Sequence, residues 1–150
     1  MPNLFSVSEA DNLNWEDNSV ETILSFETLE HLQNPKKALQ EYYRVCQKNI
    51  ILTVPNCEIT AGMDKSKLIY SHWQDRTHVQ FFNMSTIINM VQSVGFKVVK
   101  KDYINQIYLD HLIREAFNLS GLIGKSIRKL LSMKQKRHYY LTCLIVAQKN

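Results

Sequence analysis

The chain has 150 residues, 45% of them hydrophobic and 21% charged, with a formal charge of +4; this is the balance of one ordinary globular domain with a real core. No apolar run is long enough to span a bilayer, and the start MPNLFSVSEADN has neither the basic end nor the apolar centre of a signal peptide, so a cytoplasmic location is expected. Cys46, Cys57 and Cys143 are odd in number and scattered, which argues against a disulfide framework and for reduced, structural thiols.

In chain order, NLFSVS is a short strand candidate and EADNLNWEDNS a polar loop. VETILSF follows as a strand. Its apolar residues Val20, Ile23, Leu24 and Phe26 are nearly continuous, which predicts burial on both faces. Asn34 is placed to cap a helix whose first turn accepts Pro35, and Ala38, Leu39, Tyr42 and Val45 fall on one face of it. NIILTV is a β-branched strand ending at Pro55-Asn56. Cys57 to Gln80 has no clear period and predicts a long loop, with room for a short helix.

Asn83 caps a second amphipathic helix, with Ile87, Ile88, Met90, Val91 and Val94 as its core face and Gly95 as a left-handed terminator. FKVVKKDYI is the next strand, Tyr108 to Lys136 predicts one or two helices, and YYLTCLIVAQ is the final strand. This alternation predicts an α/β fold with a mostly parallel sheet, whose ligands bind beyond the carboxyl ends of the strands. The cluster Glu27, Glu30, His31 and the loop after Pro55 then share one rim.

On a helical turn, residues at i, i+3 and i+4 share a face, so Glu27, Glu30 and His31 are candidate ligands of Mg²⁺, Mn²⁺ or Zn²⁺. His78 is the candidate fourth ligand, with His72 behind it. The same residues also fit two plainer readings. In one, the acids favour a helix start and stay solvated; in the other, His31 or His78 is a general base without metal. Trp73, Phe81 and Phe82 are either core or a stacking surface for an aromatic substrate.

Three stretches taken together, DNSVETILSFETLEHLQNPKKALQEYYRV, NIILTVPN and THVQFFNMSTIINMVQSVGFKVV, resemble the second half of class I S-adenosylmethionine-dependent methyltransferases. The likeness runs from about Ser8 to Val99 and returns in the final strand. It implies a truncated Rossmann-like methyltransferase sheet, mostly parallel with an antiparallel final strand and helices on its faces. The chain would form a single partial domain over 1–150, with a helical insertion at 102–138. In the family the strand order is 3-2-1-4-5-7-6, and this chain corresponds from about the third strand onward.

Two strand–helix units, roughly 60 residues, have no counterpart. With them go the glycine-rich loop and the ribose-binding acid. Strand 4, here VETILSF, then becomes an exposed edge, which invites a homodimer or a partner chain unless NLFSVS covers it.

The resemblance also implies site residues. Glu9 matches the acid that holds the adenine amino group, and Ala10 offers its amide to the ring; as bare sequence, Glu9 is a solvated loop acid. Ser25 and Phe26 match the strand end that lines the methionine part of S-adenosylmethionine. The Glu27, Glu30, His31 and His78 set is similar to the metal sites of small-RNA 2′-O-methyltransferases and ubiquinone-pathway O-methyltransferases.

The implied reaction is direct methyl transfer to a small-molecule, sugar, lipid or nucleic-acid acceptor. The alternatives are a non-catalytic interaction module or one half of a split enzyme. Lys125, Arg128, Lys129, Lys134, Lys136 and Arg137 crowd one stretch without an acid; it is either a solvated helix face or a contact for membrane or nucleic acid.

Overall fold

The computed structural model describes residues 6–59, 71–107, 121–134 and 139–149. Its regular elements are β1 (Val20–Phe26), α1 (Pro35–Val45), β2 (Cys46–Pro55), α2 (Met84–Ser93), β3 (Phe96–Ile107), α3 (Gly121–Lys134) and β4 (Tyr139–Lys149), with single 3-10 turns at Leu29–His31 and Ser71–Trp73. The strands form one sheet in the order β1-β2-β4-β3. β1 runs parallel to β2, while β4 is antiparallel to both β2 and β3. Three strands therefore point one way and the last points back. This is the 4-5-7-6 order that the resemblance implies.

The helices form where the sequence places caps. Asn34 accepts from the Lys37 amide at 3.2 Å, and Pro35 occupies the first turn of α1. Ala38, Leu39, Tyr42 and Val45 are all buried, as their spacing predicts. At α2, Asn83 and Thr86 cap each other's amides in a closed box, and Ile87 and Val91 are fully buried. Both helices lie over one face of the sheet, on Ile50, Leu52 and Val54 of β2 and Cys143, Ile145 and Ala147 of β4. Lys149, at the end of β4, closes the layer. Its ammonium donates to the carbonyls of Tyr43 at 2.6 Å and Cys46 at 3.0 Å, where the negative end of α1 favours a cation.

Three expectations are corrected. β1 is not buried on both faces: Ile23 and Ser25 face the helices, but Leu24 and Phe26 are 60% and 55% exposed. Among the described residues, β1 pairs only with β2, and no described element covers its second face. Residues 6–8, the described part of NLFSVS, are not in a strand, so they do not cover that edge. The segment from Asp102 is not helical either, because β3 continues to Ile107 and pairs with β4 down to Tyr139. Of the helices expected between Tyr108 and Lys136, α3 is described, and residues 108–120 and 135–138 lie outside the described residues.

Gly95 ends α2 at φ +112, and a Cβ there would sit 2.9 Å from the ring of Tyr43. Gly95→Ala should therefore cost about 1–2 kcal/mol in urea unfolding, from backbone strain and displacement of that ring. An unchanged midpoint would show that the Tyr43 ring yields freely.

Candidate active site

β1 ends at Phe26, and the chain turns sharply. Glu27 adopts a left-handed backbone, φ 47, while its amide donates to the Thr53 carbonyl at 3.1 Å. The 3-10 turn Leu29–His31 follows, directly beyond the carboxyl ends of β1 and β2. The Glu30 carbonyl accepts two amides from the distant loop, Val79 at 2.9 Å and Gln80 at 3.0 Å. That double contact brings His78 against the turn. The ligand atoms of Glu30, His31 and His78 all lie within 4.8 Å of one another.

Glu30 is the central residue of this group. It is 1% exposed, and neither carboxylate oxygen has a hydrogen-bond partner. Burial pushes its carboxyl up; its own backbone amide works against this, and the charge of Glu27 adds to it. The reading of Glu30 as a solvated helix-start acid is thus corrected: the turn points it inward.

The histidines are oriented by backbone carbonyls. His31 Nδ1 lies 3.2 Å from the Thr77 carbonyl, and His78 Nδ1 lies 3.1 Å from the His72 carbonyl. A carbonyl can only accept, so in each contact Nδ1 carries the proton. In the neutral ring Nε2 then keeps its lone pair. For His31 that atom is 3.8 Å from Glu30 Oε1. The two imidazoles meet edge to face with centroids 4.8 Å apart. The cluster therefore sets a buried carboxylate without a donor beside two imidazoles whose Nε2 lone pairs are held from behind.

Glu27 does not join this group. The helical turn begins after it, and its left-handed backbone breaks the i, i+3, i+4 relation that would aim its carboxylate at His31. His72 does not join either: its Nε2 meets the Leu141 carbonyl on β4 at 3.0 Å. Trp73 and Phe81 stack on each other at 4.5 Å with planes 7° apart, and Phe82 is core. Of the two readings open for these rings, core holds for Phe82, while Phe81 stays 44% exposed beside Trp73.

Asp75 is a residue that the sequence reading missed. Its Oδ1 accepts from the Thr77 amide at 2.9 Å and hydroxyl at 2.7 Å, bonds that hold its carboxyl below the usual range. The turn this makes presents His78, whose Nε2 is 3.6 Å from Asp75 Oδ2. An aspartate two residues before a threonine is the available signal for such a turn.

The residues expected at the cofactor lie along β1 and before it. Glu9 is exposed in a tight turn, its carbonyl accepting from Asn12 at 3.0 Å. Ala10 is half-buried against the core. Arg44 anchors the loop that follows, donating to the Leu13 and Trp15 carbonyls and pairing with Asp17 and Glu41. The Ser25 hydroxyl is used internally, 3.3 Å from Tyr42 Oη. Phe26 is exposed, and its carbonyl accepts from Thr28 Oγ1. The thiols are core groups: all three are free and buried, and Cys143 is pushed up to about 12 by burial.

A family profile described as a methyltransferase domain matches residues 3–101 of the chain. The chain belongs to this methyltransferase-domain family. Solved structures of the same fold include an S-adenosylmethionine-dependent methyltransferase from Archaeoglobus fulgidus, 16% identical, with a TM-score of 0.63 over 95% of this chain and 66% of that one. A protein from Haloferax volcanii, solved in complex with a methyltransferase activator, is 16% identical with a TM-score of 0.64 over 96% of this chain and 60% of that one. A phosphoethanolamine N-methyltransferase from Haemonchus contortus, solved with S-adenosylhomocysteine, is 13% identical with a TM-score of 0.53 over 94% of this chain and 36% of that one.

This methyltransferase domain thus spans two thirds or less of the length of these three structures. At such identities they show a shared fold, and no curated protein sequence matches the chain. The sheet order and the mixed α/β architecture expected from the sequence agree with that fold.

The buried carboxyl generates a prediction. Because the folded state raises the Glu30 pKa above its unfolded value, its stabilising contribution is complete below the ordinary carboxylate range and is lost as pH rises through the folded pKa. In chelator, Glu30→Gln should therefore be more stable than wild type near neutrality, on the order of 1–3 kcal/mol. The gap should shrink as the pH is lowered. Urea unfolding of both proteins across that range checks this; a gap independent of pH would contradict the burial of an unpaired charge.

Proposed function

We propose that this methyltransferase domain supplies the acceptor side of an S-adenosylmethionine-dependent methyl transfer to an oxygen or nitrogen acceptor. The observation that carries the reading is the position of the Glu30, His31 and His78 cluster. It lies just past the carboxyl ends of β1 and β2, where α/β sheets bind their ligands. S-adenosylmethionine, when bound, supplies an electrophilic methyl on a sulfonium.

This chain's part is to orient an acceptor, exclude water from it and take up its proton. Phe26 and the backbone at the end of β1 offer one wall for the methionine part, and Glu9 with the Ala10 amide offers polar contacts for the adenine. The 150 residues contain no Gly-x-Gly turn after a strand to let the backbone approach the cofactor closely.

The cluster also fits a divalent cation. Glu30 would give a carboxylate oxygen, and His31 and His78 an Nε2 each. Mn²⁺ or Mg²⁺ is the proposed ion, with Zn²⁺ a competitor because imidazole suits it. Such an ion, when bound, lowers the pKa of an acceptor hydroxyl and fixes its direction. The same Nε2 lone pairs would serve as proton acceptors without metal. The prepared donor set also favours catalysis over a purely non-catalytic interaction module.

The open edge of β1 is the proposed place for a second polypeptide or a second copy, which would complete the cofactor pocket. Beside it, Leu13, Trp15, Ile23, Leu24 and Tyr42 help line an apolar hollow of about 370 Å³. An exposed parallel strand next to such a hollow is a pairing template.

Two calorimetric titrations test the reading. Mn²⁺ should bind wild type with measurable heat, and Glu30→Gln should abolish it; equal heats, or none, would leave only the metal-free base. S-adenosylhomocysteine should bind this chain alone no tighter than about 1 mM, a standard free energy of about −4 kcal/mol. A micromolar dissociation constant would show that the described walls suffice and that no second polypeptide is needed.

A further inference from the structure

The left-handed turn at Glu27 takes the expected second carboxylate out of the Glu30 group. Another carboxylate approaches from the opposite segment. The Asp75 carbonyl accepts the His78 amide at 3.3 Å, closing a turn over 75–78 in which aspartate suits the first position. Within this turn the two oxygens of the Asp75 carboxylate differ. Oδ1 accepts from the Thr77 amide at 2.9 Å and hydroxyl at 2.7 Å. Oδ2 has no hydrogen-bond donor among the described residues and faces His78 Nε2 at 3.6 Å.

The spacing says what can lie between these two atoms. His78 carries its proton on Nδ1, against the His72 carbonyl, so Nε2 offers a lone pair. A hydrogen bond needs about 2.7–3.2 Å, and 3.6 Å is too long for one. The 3.8 Å between His31 Nε2 and Glu30 Oε1 is too long as well. Two donors held about 2.1–2.2 Å from one small cation, at octahedral to tetrahedral angles, stand about 3.0–3.5 Å apart. Both nitrogen–oxygen pairs are therefore spaced more like ligands of an ion than like hydrogen-bond partners.

Charge and access agree with this. Glu30 alone would leave a divalent cation half-neutralised in a buried place, and a second carboxylate cancels the remaining charge. The group is closed on the side of Glu30 and His78, whose side chains are 1% and 7% exposed, and open on the side of His31 and Asp75, at 40% and 46%. An ion, and an acceptor after it, would enter from that open side.

We infer that Asp75 Oδ2 is a fourth donor of the centre, so that two carboxylates and two imidazoles hold a hard divalent cation. The inference rests on the reading of Glu30, His31 and His78 as a cation site, and adds to it a residue from outside the strand-end motif.

Titration of the full chain with Mn²⁺, followed by the electron paramagnetic resonance signal of the free ion, tests it. Asp75→Asn is the deciding variant. Its amide oxygen still accepts from Thr77 in place of Oδ1, while a nitrogen replaces the donor Oδ2. It should weaken Mn²⁺ binding by about tenfold or more, with the urea midpoint in chelator unchanged. Thr77→Val loosens the same turn but keeps both carboxylate oxygens, and should weaken binding by about threefold or less.

Equal affinity of wild type and Asp75→Asn overturns the inference and leaves the three-donor group standing, with Asp75 only building the turn. A loss in Thr77→Val as large as in Asp75→Asn overturns it too, because the turn and not Oδ2 would then set the affinity. No Mn²⁺ binding by wild type would remove the cation reading itself, and this inference with it.

Discussion

The backbone carbonyl of Glu30 is the contact on which the site depends. By accepting the amides of both Val79 and Gln80, it ties the turn after β1 to the end of a loop that is nearly fifty positions away in sequence. Without that tie, His31 and His78 would belong to separate segments. With it, two imidazoles and one buried carboxylate converge, and each imidazole is held from behind by a carbonyl of the same loop. The carbonyl oxygens of His72 and Thr77 thus orient His78 and His31, while the Thr77 hydroxyl adds a bond to Asp75 in the same turn.

The Glu30 carboxylate is the energetic counterpart of that geometry. Burying a charged carboxylate without a donor opposes folding, and its two unpartnered oxygens are a standing cost to the fold. Such an arrangement is stable only because the surrounding core over-determines it: Leu29 on one side is fully buried, and β2 behind it is paired on both edges. β1 shows the opposite balance. Among the described residues it is paired on one edge only, and it leaves Leu24 and Phe26 exposed on its outer face. The same strand thus carries a tightly specified end and an unfinished flank, which suits a wall shared with another polypeptide segment.

Much of the fold was legible in the sequence because its signals are local. The Asn34-Pro35 start, the Asn83 cap with Thr86, and the Gly95 stop each act within one turn, and the buried faces of α1 and α2 follow from spacing alone. The strand order became legible only through the family likeness, since pairing is not local.

The failures share a physical cause, which is position at an edge. β1 has the continuous apolar pattern of a central strand, yet it lies at the margin of the sheet. The end of β3, from Asp102 to Ile107, falls within the expected helical insertion, yet it pairs with β4 as an edge strand with a solvated side. In the site, Glu30, His31 and His78 were legible as residue types at suitable spacing. The left-handed backbone of Glu27 was not, because nothing in its identity demands that conformation. The part played by Asp75 was hidden in a turn whose purpose appears only when His78 is seen beside Glu30.

The proposal at the centre of this account is that Glu30, His31 and His78 form one chemical centre, able to hold a divalent cation, at the rim of the methyltransferase sheet. Anomalous diffraction at the manganese edge, from crystals grown with Mn²⁺, tests it most directly. The account predicts a single strong peak bounded by the Glu30 carboxylate and the Nε2 atoms of His31 and His78, absent from Glu30→Gln crystals. No peak there in the wild-type crystals, or a peak that persists in the Glu30→Gln crystals, would contradict it.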